Sequence, residues 1–252
     1  MSERKLILVT NDDGYLSEGI AALTAVMRRL GSVIVVAPEA SRSGAACSLT
    51  SASTVRLREV SEEEGLRVVA CTGTPVDCVK LALERVCPRM PDLVVSGINH
   101  GDNASISAFY SGTLGACLEA CIQGARAVAF SLQDFSRHCD FSPFLAAVER
   151  VASLVLRQGL PKDVCLNVNF PVVPQLKGIR VARMARGQWQ AEWEEAHHPR
   201  GERHYWLSGS FTDLEPEAED TDYWALRHGY ASVTPIQLDN TAYSAFEALS
   251  SL

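Results

Sequence analysis

Short continuous apolar runs alternate with stretches of helical period along the first two thirds of the chain. Residues 6–10 form an apolar run of strand length, and after a short polar loop Ile20, Leu23, Met27 and Leu30 recur at helical spacing. Ser17 is placed to cap that helix and Gly31 to stop it, and 33–37 repeats the strand signal before Pro38. A strand, a helix and a strand in this order imply parallel strands joined by a right-handed crossover. The alternation continues with a strand at 67–71, Thr74 and Pro75 as a cap and first helical turn, and Val76, Val79, Leu83 and Val86 as a buried stripe. A further buried run covers 93–95. Residues 113–122 predict a helix stopped by Gly124, 127–132 a strand, and 143–156 a helix opened by Ser142 and closed by Gly159. The series predicts an α/β chain, a Rossmann-like three-layer α/β/α sandwich with a mostly parallel, doubly wound sheet.

Beyond the apolar run at 164–170 the texture changes. All four tryptophans, Trp189, Trp193, Trp206 and Trp224, fall here beside acidic clusters, and short strands fit this stretch better than further crossovers. Two readings are open, an excursion that packs on a neighbouring subunit and an internal second core. The chain then rejoins the sheet, with a helix predicted over 222–228, Gly229 as its stop and a strand over 230–236. The expected organisation is one domain over 1–252, with 177–220 as a β-rich oligomerisation excursion.

Composition narrows the class. Of 252 residues, 47% are apolar and 21% charged, the profile of a globule with ample core. No apolar run approaches a membrane span. The lead Met1-Ser2-Glu3-Arg4-Lys5 runs into an apolar stretch too short for a signal-peptide core, so a cytoplasmic protein is expected. A net charge of −7 with no dense Lys/Arg stripe argues against a nucleic-acid polymer as partner, while a small anion bound through a cation remains compatible. The eight cysteines form no CxxC pair and most sit in apolar runs, which fits small buried hydrophobes better than zinc ligands or disulfides.

In an open parallel sheet the ligand lies beyond the carboxyl ends of the strands, so the polar residues that follow each run carry the chemistry. Asn11-Asp12-Asp13-Gly14 follows the first, Ser41-Arg42-Ser43-Gly44 the second, and Ser96-Gly97-Ile98-Asn99 the run at 93–95. These are hard oxygen donors of the kind Mg²⁺ or Mn²⁺ prefers. Two adjacent carboxylates at a buried strand end repel each other and resist desolvation unless a cation or hydrogen bonds compensate. The plainer reading makes Asp12 and Asp13 a solvated turn that caps the next helix. Ser111-Gly112-Thr113 opens a helix, where backbone N–H groups can cradle a phosphate, or where Ser and Thr simply cap. Thr72-Gly73-Thr74-Pro75 is equally ambiguous. Asn11 and Arg42 join Ser111, Gly112 and Thr113 as candidate phosphate contacts, and His100 is a candidate general acid or an ordinary polar loop residue.

The string Ile7-Leu8-Val9-Thr10-Asn11-Asp12-Asp13-Gly14 with Glu18-Gly19-Ile20 resembles the opening of the SurE family of survival-protein nucleotidases. Val36-Ala37-Pro38, Arg42-Ser43-Gly44, Thr72-Gly73-Thr74-Pro75-Val76-Asp77, Val95-Ser96-Gly97-Ile98-Asn99 and Ser111-Gly112-Thr113 continue the match. Pro199-Arg200-Gly201, Tyr205-Trp206 and Gly229-Tyr230-Ala231-Ser232-Val233-Thr234-Pro235 extend it in the family's order over nearly the whole chain. The resemblance implies a metal-dependent 5′- and 3′-nucleotidase that releases phosphate from nucleoside monophosphates, some members also trimming short polyphosphate. It implies one Mg²⁺ or Mn²⁺ per subunit held by Asp12, Asp13, Ser43 and Asn99, with Asp12, Asp13 and Asn99 in the chemistry. Water or an Asp carboxylate as attacking group is left open. It also implies a homodimer or homotetramer built by exchanging C-terminal elements. One departure stands out: Asn103-Ala104-Ser105-Ile106-Ser107 occupies the place of the family's usual Asn-x-Gly-x-Asp, so a glycine and an acid are missing. A rival of another class, a metal-dependent nucleotide-binding regulatory module without turnover, uses the same residues.

Overall fold

A computed structural model describes residues 4–136, 138–197 and 199–250, so Met1, Ser2 and Glu3 of the polar lead lie outside the described residues. The apolar runs become the inner strands of one nine-stranded sheet. β1 (Leu6–Thr10) is buried throughout and pairs in parallel with β2 (Ser32–Pro38) and β5 (Leu93–His100). α1 (Glu18–Leu30) makes the crossover, and the Ser17 hydroxyl accepts from the Ile20 N–H at 3.4 Å as its cap. β4 (Leu66–Cys71) lies beyond β2, and on the other side β5 is followed by β6 (Ala127–Leu132) and β7 (Val164–Phe170), all parallel. Outermost stand β13 (Ala231–Gln237), antiparallel to β7, and β8 (Ile179–Val181), parallel to β13.

Helices cover both faces. α1 and α4 (Leu145–Gln158) close a core that includes Leu23, Met27, Val95, Phe130 and Val148. α2 (Pro75–Leu81) and α3 (Gly112–Ile122) close the other, over Leu8, Val36, Val79, Val94 and Cys117. This is the three-layer α/β/α sandwich that the alternation predicts. Two short helices, α5 (Asp222–Arg227) and α6 (Phe246–Leu249), complete the set. No described helix is long and apolar enough to cross a membrane.

Local departures have physical reasons. β3 (Leu57–Glu63) is an added edge strand, antiparallel to β4, that no apolar pattern announces because nearly all of it is exposed. The helix predicted over 143–156 starts with a 3-10 turn at Ser142–Phe144, and Ser142 is not its cap; the Asp140 carboxylate instead accepts from the Ser142 N–H at 2.9 Å. Thr221, one residue upstream of the predicted start, caps α5. The aromatic excursion folds as a two-tier antiparallel ribbon. β9 (Gly187–Gln190) pairs with β12 (Ser210–Asp213), and β10 (Trp193–Ala196) with β11 (His204–Leu207). Of the predicted excursion 177–220, Ile179–Val181 belongs to the main sheet instead.

Candidate metal and phosphate site

The loop that leaves β1 is held in one shape by Asn11. Its amide hydrogens donate to the Gly14 carbonyl at 3.0 Å and the Ser17 hydroxyl at 2.8 Å, and its oxygen accepts from the Gly14 N–H at 3.2 Å. Asn11 is also fully buried, so it shapes the turn that presents the two carboxylates and does not reach a ligand.

Asp12 is buried to 3% exposure, and the Thr113 hydroxyl donates to its Oδ1. Burial pushes its carboxyl up from 3.8 to about 6, against the Thr113 bond and with help from the neighbouring Asp13 charge. Asp13 is more open. Burial raises its carboxyl too, opposed by His100, whose backbone N–H donates to Oδ2 at 3.4 Å. Among the described residues no Lys or Arg is paired with either carboxylate, and His100 is the group whose charge acts favourably on Asp13.

Asn99 arrives from the sheet itself. Residues 96–99, which the apolar run at 93–95 places after a strand, lie within β5, and a register shift against β6 falls between Ser96 and Asn99. The Asn99 amide donates to the Gly101 carbonyl at 2.8 Å, which leaves its oxygen as the available donor atom. Ser43 sits in the exposed loop after β2, its hydroxyl 2.9 Å from that of Ser41. Arg42 turns away: its guanidinium donates to the Thr72 carbonyl at 2.8 Å, and it does not line the cleft described below.

The predicted phosphate cradle is divided by the structure. The Ser111 hydroxyl caps α3 by accepting from the Leu114 N–H at 3.0 Å, and fully buried Thr113 serves Asp12. Gly112 is pressed against the same carboxylate, since a Cβ there would stand 2.9 Å from Asp12 Cβ. Gly112 therefore brings the positive end of α3 beside the Asp12 carboxylate. Thr74 makes a capping box with Asp77, the structural reading of that segment. His100 turns its Nδ1 toward the Ser136 carbonyl at 3.1 Å and Cys139 Sγ at 3.3 Å.

These groups open into a cleft of about 570 Å³, within the range of small-molecule sites. Asp12, Ser43, Asn99 and Ser111 are part of its lining, as are Tyr110, Phe135, Trp189, Trp193 and Leu207, while Asp13 is not. Sequence reasoning assigned Trp189 and Trp193 to the excursion and missed their place here, because their share in the cleft depends on how the folded ribbon is placed and leaves no local pattern. The departure at 105–107 also has a structural account. Ser105 takes a left-handed backbone, φ 51°, as glycine does freely, and is held there by the Asp222 carboxylate on its N–H at 2.8 Å and the Ala185 carbonyl on its hydroxyl at 2.7 Å. Ser107 accepts the Trp189 indole N–H at 3.3 Å.

The donor set suits a hard divalent cation. No group of three or more His, Cys, Asp or Glu gathers among the described residues, so a cation here would depend on the Asp12 and Asp13 pair aided by the neutral oxygens of Ser43 and Asn99. Two adjacent carboxylates without a Lys or Arg partner, both raised by burial, are the electrostatic counterpart of such an ion.

Comparison with known proteins gives a consistent result. The family described as survival protein SurE matches residues 7–191. A protein of Phocaeicola vulgatus named 5'-nucleotidase SurE is 49% identical over 247 residues, covering 98% of this chain and 96% of its own. One of the same name from Bacteroides thetaiotaomicron is 46% identical over 248 residues, covering 98% and 96%. Among solved structures, the SurE protein from Aquifex aeolicus superposes with a TM-score of 0.83 at 35% identity, over 98% of both chains.

Proposed function

The chain belongs to the survival protein SurE family, and from that premise we propose that it is a metal-dependent nucleotidase that hydrolyses nucleoside 5′- and 3′-monophosphates to nucleoside and phosphate. Short polyphosphate is included as a further substrate. The observation that carries the reading is the cleft on which the Asp12 carboxylate, the Ser43 and Asn99 oxygens and the amino end of α3 at Ser111 converge, with the Asp13 carboxylate next to Asp12 in the chain. The resident ion is Mg²⁺ or Mn²⁺, one per subunit, which when bound offsets phosphate charge and lowers the pKa of an attacking water.

The residues divide the work. Asp12, Asp13, Ser43 and Asn99 would hold the ion. Thr113 fixes one oxygen of Asp12, so the carboxylate meets its ligand preorganised, as partners behind metal ligands commonly ensure. The amino terminus of α3 at Ser111 and Gly112 favours the anion. Eight free cysteines suit the reducing cytoplasm, where we place the protein. Assaying phosphate release across a panel of nucleoside monophosphates, with and without Mn²⁺, tests the reading. A regulatory module would bind nucleotide and release none.

Exhaustive chelation should abolish phosphate release and leave circular dichroism unchanged, because the two cores do not depend on the ion, and Mn²⁺ or Mg²⁺ should restore turnover. Full activity in the dialysed, metal-free protein would exclude metal dependence. The pH dependence follows from Asp12. Its folded pKa lies above the ordinary value, so the folded protein holds extra proton between about pH 4 and 6, and the metal-free fold loses stability as pH rises through that window. A cation competes with that proton. Mn²⁺ affinity measured by calorimetry should therefore climb up to about pH 6 and then level.

We assign the assembly, a homodimer or homotetramer, to the ribbon and the carboxyl terminus. Tyr205 and Trp206 on the ribbon and Tyr243, Phe246 and Leu249 near the end are exposed apolar surface of the kind that partners cover. Deleting the ribbon tip between β10 and β11 with both strands should reduce the mass seen by light scattering. A wild-type monomer at micromolar concentration would contradict this assignment.

A further inference from the structure

Holding a phosphate on a cation needs oxygen donors and a dipole; it does not need tryptophan. Yet the cleft that contains Asp12 and Asn99 is walled by Trp189 and Trp193. Trp189 is fixed from two sides. Its N–H goes to Ser107, and its ring meets cross-strand Phe211 edge-on at 5.8 Å, which in turn stacks on Tyr223 at 4.3 Å. Ala191, at a left-handed φ of 51°, turns the chain between β9 and β10, and Trp193 then stands at the lip opposite Leu207, 67% exposed. An indole in one cleft with Asp12 and Asn99 offers a flat apolar face to a ligand group held there.

We propose that Trp193, backed by Trp189, is the stacking platform for the base of the nucleoside phosphate, which makes the ribbon a specificity element of the active site. The inference rests on the nucleotidase reading above. Stacking is tolerant of base identity because every base has a π face, so purines are favoured by area over pyrimidines and base edges are read little. Ser107 is a positioning residue: standing where the family usually has an acid, it accepts the N–H that orients Trp189.

The test compares a nucleoside 5′-monophosphate with ribose 5-phosphate, the same ester without a base. In Trp193→Ala the ratio of kcat/KM for the nucleotide over ribose 5-phosphate should fall by about 10- to 100-fold, the loss carried by KM, the size expected for one base–aromatic stack. Trp193→Phe should restore most of the ratio. Calorimetric titration with adenosine, which has no phosphate to lose, should show the same loss in Trp193→Ala without any need for turnover. An unchanged ratio with unchanged adenosine affinity would overturn the platform, as would an effect confined to the state of assembly. If wild-type protein releases phosphate from neither ester, the nucleotidase reading fails, and adenosine binding alone decides the platform.

Discussion

Replacing Asp12 or Asp13 with Asn is expected to lower phosphate release at saturating Mn²⁺ by about 10²-fold or more, the scale for perturbing a metal site or a developing-charge contact. Each change keeps side-chain volume and one oxygen while removing one of the two charges that balance a divalent ion. The stability effect runs the other way. At neutral pH ionised Asp12 is buried without a cationic partner, and its carboxyl is raised from 3.8 to about 6. Relieving that cost should stabilise metal-free Asp12→Asn by up to about 3 kcal/mol, since a tenfold weakening of an acid corresponds to about 1.4 kcal/mol. Thr113 can still donate to the amide oxygen, so the local geometry has little reason to change. A variant that is less active and no less stable is the signature of a residue kept for chemistry at the expense of the fold. Thermal melts and Mn²⁺ calorimetry on the same samples check both halves. Should either variant bind Mn²⁺ and turn over as wild type does, that aspartate is not a ligand.

The sheet was legible because its inner strands are buried on both faces and read as continuous apolar runs, from 6–10 to 164–170. Caps such as Ser17 and Thr74 were legible because their chemistry is local. β3 was not, since an edge strand exposed on both faces carries no period. The Asp12 and Asp13 pair was proposed by following β1 to its carboxyl end and Asn99 by following the run at 93–95, although Asn99 lies inside β5. The division of labour around them could not. That Asn11 closes the loop, that Thr113 serves Asp12 and that Arg42 faces Thr72 are facts of contact across as many as 101 residues of sequence. The tryptophans show the same limit: their aromatic texture left a subunit contact and an internal second core equally open, and only the folded structure shows that two of them line the cleft.

Gly19→Ala is expected to damage fold and site together, because Gly19 is where the segments that carry the two halves of the proposed ligand set are pressed against each other. It is buried in the first turn of α1, just beyond the loop that carries Asp12 and Asp13, and a Cβ there would stand 1.9 Å from the carbonyl oxygen of Ile98. Ile98 immediately precedes Asn99 on β5. The obstacle is backbone rather than a side chain that can rotate, so α1 or β5 must move. Overpacking of this kind costs about 1–3 kcal/mol, which for a chain of this size lowers the melting temperature by roughly 2–12 °C. The larger effect falls on the site, for a displacement of about 1 Å between catalytic groups can cost about 10²-fold in rate. Mn²⁺ affinity and turnover should therefore both fall by more than the stability loss alone would produce at a temperature where the variant is folded. Gly124→Ala separates the two effects: at φ 85° it strains a turn, but a Cβ there meets nothing within 4 Å and the position is remote from the ligands. That control should melt lower and bind Mn²⁺ as wild type does. If Gly19→Ala behaves like the control, destabilised with metal affinity and turnover intact, the contact between α1 and β5 does not set the spacing of Asp12, Asp13 and Asn99.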